Sequence, residues 1–425
     1  MKVLVIGSGG REHALAWKLK QSEGVEEVLV APGNAGTALE PGVRNVDVAS
    51  DDINGLLEMA RSEGVGFTVV GPEAPLVAGV CDVFNANAMP CFGPSAQAAQ
   101  LEGSKDFSKE FLVRNDIPTA AYETFSDLDK AKAYIHSQGA PIVVKADGLA
   151  AGKGVVVATS EEQALAAVED MLSGNAFGDA GATVVIEEFL SGEEASFICL
   201  CDGATAVPFA SSQDHKAIFD GDKGPNTGGM GAYSPAPVID DALHERIMAE
   251  IIEPTLAGMA ADGIPYVGFL YAGLMISAEG DPRVIEFNCR FGDPEAQPVM
   301  MRLQSDLLAA CQAGLAGELA HFNLSFDPRV ALGVVMAAGG YPGSYRTGDP
   351  ISGLQKELLD TKVFHAGTRL QDGHAVTNGG RVLCVVGMGH TVANAQARAY
   401  ERIELIGWRD RYFRKDIGYR ALDRD

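Results

Sequence analysis

The sequence contains no apolar run long enough to span a membrane. Its N-terminus, MKVLVIGSGG, enters a strand directly and lacks the layout of a signal peptide. The 7 cysteines include no Cys-x-x-Cys pair, and Cys199 and Cys201 lie in an apolar strand that favours core packing over a metal site. Unpatterned cysteines are typical of reduced thiols. These absences predict a cytoplasmic chain that does not enter a membrane.

Positive charge is also scarce. The chain has 33 Lys and Arg against 57 Asp and Glu, which gives a formal net charge of −24. Because nucleic-acid backbones require a cationic surface, this balance argues against a nucleic-acid partner. A small anionic substrate remains compatible with it, provided that a few Lys or Arg side chains, a helix N-terminus or a bound metal ion form a local cationic pocket.

The 425 residues suffice for two to four domains. The first hundred residues alternate short apolar strands, such as Val3–Ile6, with helical patterns, and this βαβ rhythm predicts a parallel sheet. Residues 220–237 are rich in Gly, Asn and Pro without periodicity, which predicts a long functional loop. Strands and a helix are mixed from about residue 328 onward. The chain is therefore expected to be a multidomain protein of the α/β and α+β classes.

The most informative segment is residues 284–295, VIEFNCRFGDPE. Its first residues are strand formers, so Glu286 and Asn288 project on the same side. A carboxylate and an amide oxygen side by side suit a hard cation such as Mg²⁺. Arg290 lies on that side too, and its fork can grip a phosphate or carboxylate. The alternative is an edge strand with a solvated, charged face.

The first glycine loop, Gly7-Ser8-Gly9-Gly10, follows a strand and opens a helix. It resembles a dinucleotide fingerprint, but Glu12 stands where G-x-G-x-x-G requires the last glycine. A phosphate site at Gly9 and Gly10 without a dinucleotide is the preferred interpretation. An NAD(P) site and a tight turn without a ligand remain alternatives.

The second glycine loop, Gly148 to Gly154, joins two strands and departs from the P-loop pattern at Asp147 and Gly154. A glycine loop between strands predicts a flexible flap that folds over a triphosphate. Lys145, at the end of the entering strand, is the better phosphate lysine. Lys153, on the flap, is as easily explained as a solvated surface residue.

Two further places invite a ligand. The segment from Glu187 to Leu190 ends a strand, and its backbone can pair with an adenine edge, although such a segment taken alone is more often an ordinary strand end. Glu194 follows a turn and could face a ribose hydroxyl. His215 precedes the long loop and is a possible general base, although a lone histidine is more often structural.

Together these parts resemble the ATP-grasp carboxylate–amine ligases. Within that group the chain is similar, from Met1 to about Leu422, to the phosphoribosylamine–glycine ligase family, through GSGGREHAL, PGNAGT, GPEAPLVAG, KADGLAAGKGV, QDHK, GGMGAYSP, EFNCRFGDPE and FRKDIGYRAL. The resemblance implies an N-terminal βαβ domain (1–101), an ATP-grasp core (102–122 and 191–327), a flap subdomain (123–190) and a C-terminal α+β domain (328–425).

The resemblance also implies the reaction: ATP, glycine and phosphoribosylamine would give glycinamide ribonucleotide, ADP and phosphate through glycyl phosphate, with Mg²⁺ or Mn²⁺ and as a monomer or homodimer. The expected metal ligands are Glu286 and Asn288, and the expected catalytic residues are Arg290 and Lys145. The expected nucleotide contacts are Lys105, Lys145, Gly152, Lys153, Gly154, Glu187, Glu188, Leu190 and Glu194. The expected substrate contacts are Gly9, Gly10, Asp214, Lys216 and Arg290, with Arg290 the first candidate for the glycine carboxylate.

Three other functions compete with this prediction. An ATP-grasp ligase for a different acid or amine would keep the same metal and ATP residues. An NAD(P)-dependent oxidoreductase would use the first glycine loop, against the mismatch at Glu12. An inactive nucleotide-binding regulator would bind ATP without turnover, which the intact Glu286, Asn288 and Arg290 disfavour.

Overall fold

The computed structural model describes residues 1–148, 154–173, 182–422 and 424. Its N-terminal part contains strands β1 (Lys2–Gly7), β2 (Glu27–Pro32), β3 (Val43–Asn45), β4 (Val65–Val70) and β5 (Cys91–Phe92). They form a parallel sheet in the order β3-β2-β1-β4-β5. The helices of this part, and those leading out of it, are α1 (Gly10–Leu19), α2 (Ala35–Leu39), α3 (Ile53–Glu63), α4 (Glu73–Val77), α5 (Val80–Ala86), α6 (Gln100–Gly103) and α7 (Lys105–Arg114).

Both faces of this parallel sheet are buried. Along β1, Leu4 and Ile6 join one hydrophobic cluster, whereas Val3 and Val5 join another on the opposite face. A strand covered on both sides has a continuous apolar sequence rather than an alternating one, as β1 does. The predicted parallel βαβ domain is confirmed.

A second, antiparallel sheet follows. It consists of β6 (Tyr122–Phe125), β7 (Ile142–Ala146), β8 (Val155–Ala158) and β9 (Val184–Glu188), in the order β6-β9-β7-β8. Helices α8 (Leu128–Gln138) and α9 (Glu161–Ser173) accompany it. Ser160 caps α9, since the Gln163 backbone N–H donates to Ser160 Oγ at 3.3 Å. Residues 149–153 of the expected flap lie outside the described residues.

The central sheet is antiparallel, with the order β11-β10-β16-β17. Its strands are β10 (Glu193–Asp202), β11 (Ala206–Pro208), β16 (Val267–Ile276) and β17 (Pro282–Asn288). Cys199 and Cys201 on β10 are fully buried in the core, as the packing interpretation predicts. The helices beside this sheet are α10 (Asp241–Ile247), a π-helical turn (Met248–Ile252), α11 (Glu253–Ala261), α12 (Ala296–Arg302), α13 (Leu307–Ala316) and a 3₁₀ turn (Leu319–His321).

The last large sheet joins distant parts of the chain in the order β12-β15-β18-β22-β19. It contains β12 (Gln213–Asp214), β15 (Gly231–Ser234), β18 (Val330–Ala337), β19 (Thr361–His365) and β22 (Arg381–Gly389). Two separate hairpins accompany it, β13 (Ala217–Phe219) with β14 (Lys223–Asn226) and β20 (Thr368–Gln371) with β21 (His374–Thr377). The helices of this part are α14 (Val392–Glu404) and α15 (Tyr419–Leu422).

The prediction of an irregular loop over residues 220–237 is wrong, because β14 and β15 lie within it. Glycine is abundant here for packing reasons. A Cβ on Gly231 would lie 2.7 Å from the carbonyl oxygen of Gly333 and 2.8 Å from Cγ2 of Ile417. Pairing of β15 with β18, about a hundred residues later, therefore outweighs the local composition.

None of the helices in the described ranges combines the length and the apolarity that a membrane crossing requires.

Candidate active site

A cavity of about 460 Å³ lies between these sheets, and residues from each sheet or its connecting segments line it. Most of the sequence-predicted site residues meet there: Lys105, Lys145, Gly154, Glu187, Glu188, Leu190, Glu194, Asp214, Lys216, Glu286, Asn288 and Arg290. Gly9 and Gly10 are not among the lining residues. Gly152 and Lys153 lie outside the described residues.

The end of β17 presents two oxygen donors to the cavity. Glu286 and Asn288 line it, whereas Phe287 between them is buried in the core. Opposite Glu286 on β16 stands Gly273, where a Cβ would already be 3.4 Å from Glu286 Cγ. Within the described residues, neither side chain makes a hydrogen bond or ion pair. The predicted same-side geometry of these two residues is therefore present.

Three lysines hold the Glu286 carboxylate in its charged form. Burial opposes ionisation, but Lys216, Lys145 and Lys105 outweigh it and lower the pKa of Glu286 below its usual value. A charged carboxylate and an amide oxygen, both without a protein partner among the described residues, fit a hard divalent cation that keeps room for phosphate oxygens. The structure therefore meets the chemical requirement for a metal at Glu286 and Asn288.

A buried triad flanks this strand. The Glu187 carboxylate lies 2.9 Å from the Lys109 ammonium and 2.9 Å from that of Lys145. Lys145 also donates to the carbonyl oxygen of Ile285 at 3.2 Å. Burial lowers the pKa of Lys109 to about 8, against the attraction of Glu187. Sequence reasoning missed Lys109, whose position on helix α7 gave no sign of this partner.

We expect Glu187→Gln to raise the KM for ATP about ten-fold, because Lys145 loses the buried ion pair that positions it. Lys109 and Lys145 would also lose the buried carboxylate that neutralises both of them, so the thermal unfolding temperature should fall. Steady-state kinetics with varied ATP and a thermal melt would measure both effects. Glu123→Gln, an exposed position on β6, is the matched control. An unchanged KM for ATP in a folded Glu187→Gln variant would contradict this role.

Lys105 begins helix α7 and reaches the glycine loop. Its ammonium donates to the carbonyl oxygen of Gly148 at 2.8 Å, and its backbone N–H donates to Asp147 Oδ1 at 2.6 Å. Burial lowers the pKa of Lys105, although Glu286 opposes the shift. This lysine therefore connects the base of the predicted flap to β17. Because β17 carries the predicted metal ligands Glu286 and Asn288, it is called the metal strand below.

Arg290 lies in the cavity wall with its charge already offset. Its guanidinium is 3.1 Å from Glu73 and 2.9 Å from Glu102. Arg290 in turn contributes to lowering the pKa of Glu73 to about 2, against the effect of burial. The Cys289 backbone N–H donates to Glu102 at 2.7 Å, so that the same carboxylate also fixes the turn after β17. Arg290 thus connects the N-terminal part to the metal strand.

A backbone N–H group of the first glycine loop already has an acidic side chain as its partner. The Glu12 carboxylate accepts the Gly9 backbone N–H, and Arg11 donates to the same carboxylate at 2.7 Å. A donor that would face a phosphate is therefore engaged within the helix itself. Gly10 adjoins the cavity wall, since a Cβ there would lie 3.5 Å from Oδ1 of Asp293.

Glutamates at the end of β9 and the start of β10 differ in their surroundings. Glu188 is exposed, and Arg283 lies 3.5 Å from it. Glu194 pairs with Lys216 at 3.0 Å. Both line the cavity with Leu190, so the segment predicted to meet adenine and ribose is in place beside the lysines.

His215 has a structural position. It is fully buried, it is absent from the cavity lining, and its Nε2 accepts the Gly418 backbone N–H at 3.0 Å. Burial lowers its pKa, against the opposing effect of the Asp222 carboxylate 3.5 Å away. His215 therefore lacks the access to the cavity that a general base would need.

Besides Lys109, the sequence analysis gave no role to several other charged lining residues, among them Arg11, Asp293, Glu295 and Arg381. Arg381, on β22, is 3.2 Å from the Asp293 carboxylate and donates to the Asp293 carbonyl oxygen at 2.7 Å. Asp293 and Glu295 belong to RFGDPE, so their segment was identified but not their roles. Nothing in the local sequence indicated Arg381.

Three family models match the chain in order. They are described as the N domain (residues 1–102), the ATP-grasp (A) domain (103–296) and the C domain (331–420) of phosphoribosylglycinamide synthetase. Proteins named phosphoribosylamine–glycine ligase are 61% identical in Yersinia pestis and 62% identical in Escherichia coli K12, each over 100% of both chains. The chain belongs to the phosphoribosylamine–glycine ligase family. The predicted family and enzyme class, an ATP-grasp ligase, are confirmed, and ATP with a divalent metal ion follows from that class.

Solved structures agree with this assignment. The crystal structure of the phosphoribosylamine–glycine ligase of Thermotoga maritima has a TM-score of 0.85 and 34% identity, and covers 98% of this chain and 100% of its own. A biotin carboxylase domain from Hydrogenobacter thermophilus has a TM-score of 0.75 at 16% identity, covering 97% and 91%. The second likeness concerns the fold alone. The predicted fold class is confirmed.

Proposed function

We propose that this protein joins glycine to 5-phosphoribosylamine at the expense of ATP, giving glycinamide ribonucleotide, ADP and phosphate in de novo purine synthesis. Membership of the family supports the identity of these substrates. The observation that carries the chemistry is the pair of unpartnered oxygens on Glu286 and Asn288, which faces three lysines inside one cavity. That arrangement suits the meeting of two anionic reactants.

The first chemical step needs cations. A carboxylate is a poor acyl donor, so one oxygen of glycine takes the γ-phosphoryl group of ATP and forms glycyl phosphate and ADP. The amine of phosphoribosylamine then attacks the carbonyl carbon, and phosphate leaves. Lys105 and Lys145 would bind the transferring phosphates. A divalent ion on Glu286 and Asn288, Mg²⁺ or Mn²⁺, would neutralise phosphate charge when bound.

The remaining predicted contacts complete the proposal. The backbone from Glu187 through Glu188 to Leu190 would hold adenine, and Glu194 the ribose. Gly152, Lys153 and Gly154 would close over the triphosphate and exclude water from the intermediate. Gly9 and Gly10 would face the phosphoribosyl group, with Asp214 and Lys216 as further substrate contacts. Arg290, held by Glu73 and Glu102, would orient the turn that follows the metal strand.

We also propose the division into residues 1–101, 102–122 with 191–327, 123–190 and 328–425, and a monomer or homodimer as the assembly. The sheets support this division, except that β15 of the core segment pairs with β18 of the last segment and so joins β12 to the same sheet.

An ADP-release assay tests the function. With ATP, glycine and freshly formed phosphoribosylamine, we expect ADP release that depends on both glycine and the amine, because the acyl phosphate must form and then be consumed. A panel of other acids and amines under the same conditions serves as the control. Release with a different acid–amine pair, and none with glycine and phosphoribosylamine, would transfer the assignment to another ATP-grasp ligase.

A further inference from the structure

Two side chains contact the backbone of the metal strand just before its predicted ligands. Thr119, in the segment after α7, forms an isolated parallel bridge with Val284, and its hydroxyl group donates to the Val284 carbonyl oxygen at 2.7 Å. Lys145, on β7, donates to the next carbonyl oxygen, that of Ile285, at 3.2 Å. Glu286 follows directly in the chain. The backbone that carries the predicted metal ligands is therefore held at two consecutive residues.

Lys109, on α7, joins these two contacts into a closed circuit. Its ammonium group donates to Thr119 Oγ1 at 2.8 Å and lies 2.9 Å from Glu187 Oε2. The other oxygen of the same carboxylate, Oε1, lies 2.9 Å from the Lys145 ammonium group. The circuit therefore leaves the metal strand through Thr119 and returns to it through Lys145. It connects the sheet of β7 and β9 to the central sheet, which contains β17.

The charged members of this circuit are shielded from water. Lys109 is 3% exposed, Lys145 4% and Glu187 3%. Because charges are costly to bury unless they are paired, each ion pair of this group is strongly constrained. With one lysine on each oxygen, the Glu187 carboxylate cannot rotate without breaking an ion pair. Lys109 thereby fixes the direction from which Glu187 holds Lys145.

The sharing of one carboxylate also leaves positive charge for a ligand. Two ammonium groups and one carboxylate carry +2 and −1, which leaves a net charge of +1. Without the charge on Lys109, both oxygens of Glu187 are free to turn to Lys145, and the remaining pair is neutral. Lys145 is then drawn towards β9 and attracts a phosphate oxygen less strongly.

We propose that Lys109 is a positioning residue for ATP, which sets the place of the Lys145 ammonium group relative to the metal strand. It acts through Glu187 on one side and through Thr119 on the other, without touching the nucleotide. The inference rests on the proposed ligase function, in which Lys145 binds phosphate. Its consequence is that the phosphate lysine and the metal ligands, which lie on different sheets, are arranged before the nucleotide arrives, as electrostatic stabilisation by a preorganised site requires.

Lys109→Met tests the proposal in the full-length enzyme. We expect the dissociation constant of MgATP, measured by calorimetric titration, to rise about ten-fold, with the KM for glycine changed less than about two-fold. Lys109→Arg keeps the positive charge and should recover most of the affinity. Lys130→Met, at an exposed position on α8, is the matched control and should bind MgATP like the wild type. A thermal melt checks the folding of each variant.

A double variant separates positioning from direct contact. If Lys109 acts through Glu187, Lys109→Met combined with Glu187→Gln should raise the MgATP dissociation constant no further than the worse of the two single variants, about ten-fold. A lysine that touched the nucleotide itself would add its own loss to that of Glu187. The two effects would then multiply to about 100-fold.

Thr119→Val interrupts the circuit at its other end. Valine keeps the shape of the side chain and removes the hydroxyl group, while both ion pairs of Glu187 remain. We expect the MgATP dissociation constant to rise about three-fold, as for one lost neutral hydrogen-bonding group. Because it removes no buried charge, this variant tests the proposal even if Lys109→Met does not fold.

The pH dependence of MgATP binding gives a readout that packing alone would not change. Burial lowers the pKa of Lys109 to about 8 against the attraction of Glu187, with Lys145 adding to the shift and Glu286 opposing it. Neutral Lys109 no longer pairs with Glu187, so the affinity for MgATP should be highest below this pKa and fall as the pH rises through it. In Lys109→Arg the guanidinium stays charged, so this alkaline loss should disappear.

Three results would overturn the inference. They are an unchanged MgATP affinity in folded Lys109→Met and Thr119→Val, a parallel rise in the glycine KM, and multiplication of the two effects in the double variant. Failure of the underlying function is distinguishable, because MgATP binding is measured without glycine or phosphoribosylamine. The wild-type enzyme would then bind MgATP and show no glycine-dependent ADP release.

Discussion

Glu286→Gln should lower kcat about 10²- to 10³-fold, equivalent to roughly 3–4 kcal/mol of transition-state stabilisation. The amide is isosteric with the carboxylate but neutral, so the site loses the charge that attracts a divalent ion. Lys105, Lys145 and Lys216 would then face one another without the anion they surround. Because the Glu286 side chain makes no hydrogen bond with the described residues, its replacement should leave the pairing of β17 with β16 intact.

The measurement is ADP release over a Mg²⁺ titration, with the thermal melt as a check on folding. The half-saturating Mg²⁺ concentration should rise in Glu286→Gln together with the loss of kcat. Glu279→Gln, an exposed glutamate in the turn before β17, should behave like the wild type. Turnover in Glu286→Gln with the wild-type Mg²⁺ dependence would show that the metal ion binds elsewhere.

Asp222→Ala should destabilise the folded protein by roughly 3 kcal/mol, because it breaks a partly buried ion-pair network around a fully buried arginine. Asp222 accepts hydrogen bonds from Arg414 at 2.8 Å and from Tyr419 at 2.6 Å, and it also contacts Arg420. The Arg414 side chain is completely buried, and without Asp222 it keeps Asp416 as its one carboxylate partner among the described residues. A buried guanidinium that loses one of its two carboxylate partners strongly destabilises the folded state.

The pH dependence gives this prediction a second readout. Burial opposes ionisation, but hydrogen bonds from His215, Tyr419 and the two arginines hold the pKa of Asp222 well below its usual range. A depressed folded-state pKa stabilises the protein above the unfolded-state value, about 3.9 for Asp, and that contribution is lost as the pH falls through the folded-state pKa.

Urea unfolding at pH 7 and near pH 3 would measure both effects. The difference between wild type and Asp222→Ala should be largest at neutral pH and should shrink in acid. Glu401→Ala, at an exposed position on α14, is the control and should change stability by less than about 0.5 kcal/mol. A difference of the same size at both pH values would mean that packing, rather than charge, accounts for it.

Local pattern was enough to predict the centre of this site. The period of two in β17 and the chemical types of Glu286 and Asn288 are properties of a few consecutive residues, and the structure has both side chains where the pattern indicates. The same holds for Lys145 at the end of β7. The parallel sheet was predictable because its strands and helices alternate along the chain.

Long-range partners were not predictable from local pattern. Arg290 was expected to face a substrate, but Glu73, 217 positions earlier, and Glu102 offset its charge. Lys109 shares Glu187 with Lys145 only because α7 packs near β9. Strand β15 forms in a glycine-rich segment because β18 pairs with it. In each case the deciding interaction comes from a part of the sequence that no short window contains.

Because β12, β15 and β18 lie in one sheet, the cavity depends on segments that are far apart in the sequence. Strand β12 ends at Asp214, and it is held through β15 by a strand that the chain supplies only after residue 329. Arg420, on α15, donates to the Asp214 carbonyl oxygen at 3.3 Å. A shortened or permuted chain that ends before this strand would expose an open sheet edge and release the segment beside the metal strand. The chain must therefore be synthesised through β18 before this side of the cavity can assemble.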